Sequence, residues 1–226
     1  MDALVLREDA AGGIVWLTLN RPDKLNALSP ALFETLAGHL DALERDESAR
    51  CVVLRGAGRA FCAGADLDAL RAGVVTADPD MRSRTVARLG ALPQPVLAVV
   101  HGYCFTGGLE LALAADLILA SENAVFCDTH ARLGLLPRWG MSARLPRRVG
   151  AARARRITFT AERIGGPEAL AIGLCDWVEP QETLMARAHQ IAGELALTGP
   201  AAARIRTLYD AAADLDLSEA LSLERR

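Results

Sequence analysis

The stretch that most constrains this chain is Val96-Leu97-Ala98-Val99-Val100 running straight into His101-Gly102-Tyr103-Cys104-Phe105-Thr106-Gly107-Gly108-Leu109-Glu110. An apolar run of this length, three of its five residues β-branched, reads as a buried strand, and such strands belong to parallel sheets flanked by helices. The glycine-bearing turn then leads into a helix expected over 108–115, with a further strand at Asp116–Ala120. Amides at such a helix start receive developing negative charge, and Gly107 and Gly108 let another group approach the backbone closely. The alternative is a turn whose glycines merely let helix and sheet pack. Glu110, about one turn farther on, is either a general acid or base or a paired structural carboxylate.

The same grammar occurs upstream. Gly13–Asn20 reads as a strand, Asn20-Arg21-Pro22-Asp23 turns the chain, and Ser29-Pro30 opens a helix with Leu32, Leu36, Leu40 and Leu43 on its sheet-facing side. Cys51–Arg55 forms the next strand. Beyond its end lies Phe61-Cys62-Ala63-Gly64-Ala65-Asp66, a turn of small residues able to expose the Ala65 amide. Asp66 there either binds a ligand or accepts local backbone N–H groups. Residues 71–83 read as a mobile surface loop, 146–174 as helix interrupted at Gly150 and at Gly165-Gly166-Pro167, and 181–197 and 201–213 as helices. The fold class is α/β, in one domain over 1–226.

Composition narrows the function by exclusion. A net charge of −3 gives no overall basic bias, although nine arginines fall between Arg132 and Arg163 against the single acid Glu162. That stretch lacks interleaved aromatic residues, so nucleic-acid binding is not expected. Five scattered cysteines indicate neither a disulfide framework nor a metal motif, and no metal is expected. No apolar run reaches a membrane-spanning length and no signal-like segment is visible, so a cytoplasmic location is expected by default. His130, in Asp128-Thr129-His130, is a candidate proton carrier near neutral pH or a structural histidine.

Taken in order, Leu19-Asn20-Arg21-Pro22, Asn26-Ala27-Leu28, Ala60–Leu67, Gly102–Glu110, the 126–140 segment and Ala169–Val178 resemble the enoyl-CoA hydratase/isomerase, or crotonase, family over about 200 residues. The resemblance implies a spiral of repeated ββα units over roughly 1–180 with a helical region over 181–226, assembled as trimers or dimers of trimers. It implies an oxyanion hole from the amides of Ala65 and Gly107, with Gly108 in support, around the carbonyl of an acyl-CoA thioester. Coenzyme A, part of the substrate rather than a cofactor, would lie along Lys24, Ala63 and Asp66, although Asp68 stands where many relatives are basic. Glu110 matches the first catalytic glutamate of the hydratases, and His130 stands where they carry the second. Asp128, two residues earlier, faces elsewhere on an extended strand unless the segment turns. Trp139, bulky where relatives often keep small residues, either narrows the acyl pocket or fills core space, and the sequence stops earlier than typical members. The implied activity is hydration of trans-2-enoyl-CoA in fatty acid metabolism, with double-bond isomerisation or noncatalytic acyl-CoA binding as alternatives.

Overall fold

The computed structural model describes residues 3–72 and 78–225. Strands β1 (Val5–Ala10), β2 (Ile14–Leu19), β3 (Cys51–Gly56), β4 (Val96–Val100), β6 (Leu117–Ser121) and β9 (Trp177–Glu179) form one sheet in the order β1-β2-β3-β4-β6-β9. Only β1 runs antiparallel to its neighbour; the remaining pairs are parallel. A smaller sheet of β5 (Tyr103–Phe105), β7 (Val125–Cys127) and β8 (Ile164–Gly165) lies in the order β5-β7-β8. Strand pairs followed by a helix recur, as in β4-β5-α4, with α4 at Gly107–Ala112. This is the repeated ββα arrangement that the resemblance implies.

Alternation along the central strands explains the layers, because successive side chains point to opposite faces. Val52, Leu54, Ala98 and Val100 bury one face against Leu32, Phe33, Leu36 and Leu40 of α1 (Pro30–Leu43) and Val86 and Leu89 of α3 (Met81–Gly90). Cys51, Val53, Leu97 and Val99 bury the other against Leu184, Ala188, Ile191 and Ala192 of α8 (Leu184–Ala212). The Ser29 hydroxyl caps α1 by accepting the Leu32 amide, with Pro30 at its first position, as expected.

Several boundaries differ from expectation. Tyr103–Phe105 is a short strand inside the glycine turn, and α4 ends at Ala112 rather than Ala115. The loop expected over 71–83 is bounded by α2 (Leu67–Arg71) and α3, which starts at Met81; residues 73–77, and the mobility expected of them, lie outside the described residues. The helical tract expected from residue 146 begins earlier, as α5 (Met141–Val149) and α6 (Ala151–Thr160), and β8 precedes α7 (Gly166–Ala171). The two carboxyl-terminal helices join into α8 with a break at Gly199 (φ 43°, ψ −127°), ahead of α9 (Leu217–Leu223). Strand β1 carries Arg7, Glu8 and Asp9 and shows no apolar alternation; pairing with β2, rather than its own pattern, makes it a strand.

Gly102 turns the chain from β4 into β5 at φ +54°, where a Cβ would run into the Arg59 carbonyl and lie 3.3 Å from Ala60 Cα. Gly102→Ala is therefore expected to lose about 3 kcal/mol, from left-handed strain plus a clash with rigid backbone. Gly38, exposed in mid-α1 with nothing within 4 Å of an added Cβ, is the counterpart: Gly38→Ala is expected to gain about 0.5–1 kcal/mol. Denaturant unfolding of both variants checks the opposite signs.

Candidate active site

The small sheet is extended by two isolated bridges, Cys62 with Cys104 and Leu28 with Ala65. They carry the 62–66 turn alongside β5 and so bring the two sequence motifs together. The Leu28 amide donates to the Gly64 carbonyl (2.8 Å) and the Asp66 amide to the Leu28 carbonyl (3.1 Å). In a parallel bridge of this kind the intervening residue, Ala65, turns its own N–H to the opposite side. That side is where α4 begins. Gly107 occupies the first position of α4, where an N–H has no acceptor within the helix. A Cβ added at Gly107 would sit 3.4 Å from the Ala65 nitrogen, and one added at Gly64 would sit 3.4 Å from the Gly107 nitrogen. The two amide nitrogens thus lie close together.

Thr106 makes the turn into α4 with φ 49° and ψ −108°, an uncommon conformation for a residue with a Cβ. It is held by the neighbouring segment: the Thr106 amide donates to the Cys127 carbonyl (2.8 Å), and its hydroxyl accepts the Thr129 amide (3.2 Å) and bonds the Thr129 hydroxyl (2.6 Å). The two readings of the glycine pair divide between its members. Gly108 packs α4 on the 62–66 turn, since a Cβ there would overlap the Cys62 carbonyl. Gly107 lies under the Trp139 ring, which a Cβ would strike.

Glu110 is 1 % exposed. Its Oε1 accepts the amides of Trp139 (2.8 Å) and Met141 (3.1 Å), the latter the first residue of α5, so this carboxylate caps α5 from across the chain. Burial raises its pKa, and the charge of Asp128 adds to the rise; the two amides and His130 offset part of it. Its Oε2 stands 3.7 Å from His130 Nε2. That is beyond hydrogen-bond distance, and both groups line one cavity.

His130 is oriented from behind. Strand β7 ends at Cys127 and the chain turns, so Asp128, fully buried, reaches back to His130 Nδ1 (2.6 Å) and accepts the His130 amide (3.1 Å). The Thr158 hydroxyl of α6 donates to its other oxygen (2.7 Å). Burial works against ionisation of both groups, but their mutual hydrogen bond and charge prevail: Asp128 is lowered and His130 raised, with Glu110 contributing to the latter. The segment turns, but Asp128 enters behind the imidazole and does not line the cavity. The chain Thr158-Asp128-His130-Glu110 can therefore hold a proton at Nε2 or pass one across the cavity. Thr158 carries no sequence signal, since thirty residues separate it from Asp128.

This cavity, about 460 Å³, is also lined by Ala65, Thr106, Gly107, Arg82, Arg138 and Trp139. Trp139 packs edge-on against Phe33, with ring centroids 4.9 Å apart, so it both closes the cavity and joins the core. A second cavity of about 360 Å³ is lined by Lys24, Ala63, Asp66, Asp68 and Leu133, and shares Ala65, Thr106 and Leu135 with the first. The two meet at Ala65, on one side of the amide pair. Lys24 pairs with Asp68 (3.3 Å) at the surface. The Asp66 carboxylate pairs with Arg21 (2.8 Å) and accepts the Asp68 and Ala69 amides; these contacts outweigh burial and lower its pKa.

Other centres of reactivity are weaker. Cys62, beside the amides, has its thiol pushed up to about 12 by burial and is no nucleophile at neutral pH. Among the described residues no group of three or more His, Cys, Asp or Glu side chains is disposed to hold a metal ion, and no helix is long and apolar enough to cross a membrane. A larger cavity of about 690 Å³ lies apart, between α3, α5 and α8, and contains neither amide nor His130.

Known proteins resemble this chain along most of its length. The chain is 37% identical over 191 residues to 1,2-epoxyphenylacetyl-CoA isomerase of Escherichia coli, covering 81% of this chain and 73% of that one. It is 36% identical over 219 residues to carnitinyl-CoA dehydratase of Proteus mirabilis, covering 95% and 83%. The crystal structure of enoyl-CoA hydratase from Bacillus anthracis superposes with a TM-score of 0.90 at 35% identity, over 98% of this chain and 88% of that one. Residues 9–226 match the family model for enoyl-CoA hydratase/isomerase, and with relatives of this identity along most of its length the chain belongs to that family.

Proposed function

We propose that this protein is an acyl-CoA enzyme that adds water to a trans-2-enoyl-CoA to give the 3-hydroxyacyl-CoA. The observation that supports the reading is the closeness of the Ala65 and Gly107 nitrogens beside buried Glu110, with His130 Nε2 3.7 Å from Glu110 Oε2. The thioester carbonyl would accept both amides, which makes C3 electrophilic and stabilises the enolate that follows; each such donor is worth about 3–4 kcal/mol. Glu110 Oε2 takes a proton from water as its oxygen bonds to C3, and His130 Nε2 delivers a proton to C2. Transfer of the proton from Glu110 to His130 resets the pair. Coenzyme A would follow the cavity at Lys24, Ala63 and Asp66, and Trp139 would bound the acyl group.

The lone imidazole opposite Glu110 also supports a second reading, isomerisation, in which His130 moves a proton between C2 and C4 and no water adds. Purified protein is expected to consume crotonyl-CoA or a longer enoyl-CoA, read as loss of the conjugated thioester absorbance, with label from H₂¹⁸O appearing in the 3-hydroxyl. Proton exchange in D₂O without oxygen incorporation would replace hydration by isomerisation. Tight binding without turnover on any enoyl-CoA would leave only a noncatalytic binder. Assembly as trimers or paired trimers is part of the same proposal, supported by exposed Leu197, Tyr209 and Leu217 on α8 and α9.

A further inference from the structure

Trp139, whose ring stands over Gly107, is held at both of its backbone groups. Its amide donates to Glu110 Oε1 (2.8 Å), and its carbonyl accepts Arg144 Nη1 of α5 (2.9 Å). The arginine reaches back over the start of its own helix, and Gly140 makes room for it: a Cβ there would overlap the guanidinium. On the opposite side, a Cβ added at Gly90 of α3 would sit 3.7 Å from Arg144 Nη2, so the group is seated between two glycines. Arg144 lines the larger cavity of about 690 Å³ and not the one at Glu110 and His130. Burial lowers its pKa against the opposing charges of Glu110 and of Asp210 on α8. The other cations lining that larger cavity have carboxylate partners: Arg148 pairs with Asp176, Arg206 with Asp116 (2.8 Å) and Arg147 with Asp214 (3.7 Å). Facing Glu110 are His130, with Asp128 behind it, and Arg82 and Arg138 in the cavity lining.

Resting on the hydration reading above, we infer that Arg144 is a positioning residue: by holding the Trp139 carbonyl it fixes the 139–141 turn whose amides orient Glu110. Both groups that anchor Glu110 Oε1, the amides of Trp139 (2.8 Å) and Met141 (3.1 Å), belong to this turn. Where Oε2 points toward His130 therefore depends on where the turn sits. Gly140 stands in the middle of it at φ 116°, without a side chain to stiffen it, and Arg144 supplies the tie from one turn farther along α5. The Trp139 ring moves with the same residue, so a slackened carbonyl contact displaces both the carboxylate and the wall over Gly107. A shift of about 1 Å in a catalytic group costs about a hundredfold in rate. The guanidinium adds a second effect, since a nearby cation favours the ionised carboxylate that takes a proton from water.

The test compares the full chain with Arg144→Met, which keeps an apolar stem, and Arg144→Lys, which keeps the charge, on crotonyl-CoA across pH. In Arg144→Met, kcat is expected to fall about tenfold to a hundredfold with KM within about threefold. The acid limb of kcat/KM, where Glu110 must be ionised to act as base, should move to higher pH. Arg144→Lys should return that limb to its parent position and recover kcat in part, because one ammonium replaces a planar fork. A carboxyl-carbon NMR titration of Glu110, identified by its loss in Glu110→Gln, reads the same shift without turnover. If Arg144→Met fails to fold, Arg144→Gln takes its place as the uncharged variant. A fall in kcat with an unmoved limb and an unmoved titration overturns the inference and leaves Arg144 an anchor for α5. A raised KM with kcat retained also overturns it, assigning the arginine to thioester binding. If the unaltered protein turns over no enoyl-CoA, the hydration reading falls, and the titration alone decides: a Glu110 midpoint that rises in the uncharged variant supports the positioning role, and one that stays overturns it.

Discussion

Glu110→Gln is expected to lower turnover of an enoyl-CoA by about 10²–10⁴-fold while leaving thioester affinity nearly unchanged. The glutamine carbonyl can still accept the Trp139 and Met141 amides, so α5 keeps its cap and the cavity its shape. What is lost is an oxygen able to take a proton opposite His130. Stability should move the other way, and its pH dependence identifies the cause. Burial raises the Glu110 pKa, so the folded state holds that proton more tightly than the unfolded chain. Stability contributed by this group is then full below the ordinary carboxylate range and declines as pH rises through the raised folded value. The glutamine variant lacks that decline. Its melting temperature should match or exceed that of the unaltered protein at pH 8, with the advantage shrinking toward pH 4. Turnover within threefold of the parent would remove Glu110 from the chemistry, and a lower melting temperature at pH 8 would mean that its cost when charged has been misjudged.

That double role of Glu110 shows where sequence reading reaches its limit. Its position one turn beyond Gly107-Gly108 was legible, because strand, turn and helix follow one another within fifteen residues and the local order sets the geometry. The pairing with Ala65 was legible only through the resemblance; what brings the two turns together is the Cys62–Cys104 and Leu28–Ala65 bridging. The start of α5 was not legible at all. Gly140 precedes it at φ 116° without a side-chain cap, and the group that satisfies the first amide comes from Glu110, thirty-one residues away. Likewise Tyr103–Phe105 is a strand because β7 lies beside it, and β1 is one because it lines the edge of β2. Local pattern predicts elements that bury their own periodic face; it cannot report those made by a partner distant in sequence. The arginine-rich stretch divides in the same way: Arg148 and Arg156 are held by Asp176 and Glu168, which lie outside it, while Arg138 lines the cavity.

The acid that matters most to His130 does not touch the cavity, which makes Asp128→Asn the sharpest probe of this site. With a carboxylate at Nδ1, the imidazole keeps its Nδ1 proton directed backward and presents Nε2 to Glu110. An asparagine of nearly the same shape can instead donate its amide to Nδ1, which favours the tautomer with its proton on the wrong nitrogen for accepting one at Nε2. In a serine protease triad the equivalent change costs about 10⁴-fold in turnover, and a loss of about 10²–10⁴-fold is expected here. A merely structural role would lower stability without moving the pH profile, so the profile is the discriminating measurement. Asp128 raises the His130 pKa by hydrogen bond and by charge, against burial. Without it, the alkaline limb of kcat/KM, where Nε2 loses the proton destined for C2, should shift to lower pH. Stability obeys the complementary sign. The lowered pKa of Asp128 contributes stability above the ordinary carboxylate value, lost as pH falls through the folded one, so the gap in melting temperature between parent and variant should narrow toward acid pH. An unchanged alkaline limb together with a uniform loss of melting temperature would reduce Asp128 to a core anchor for Thr158 and the 128–130 turn. A shifted limb with thioester affinity retained would establish it as the residue that sets how His130 carries its proton.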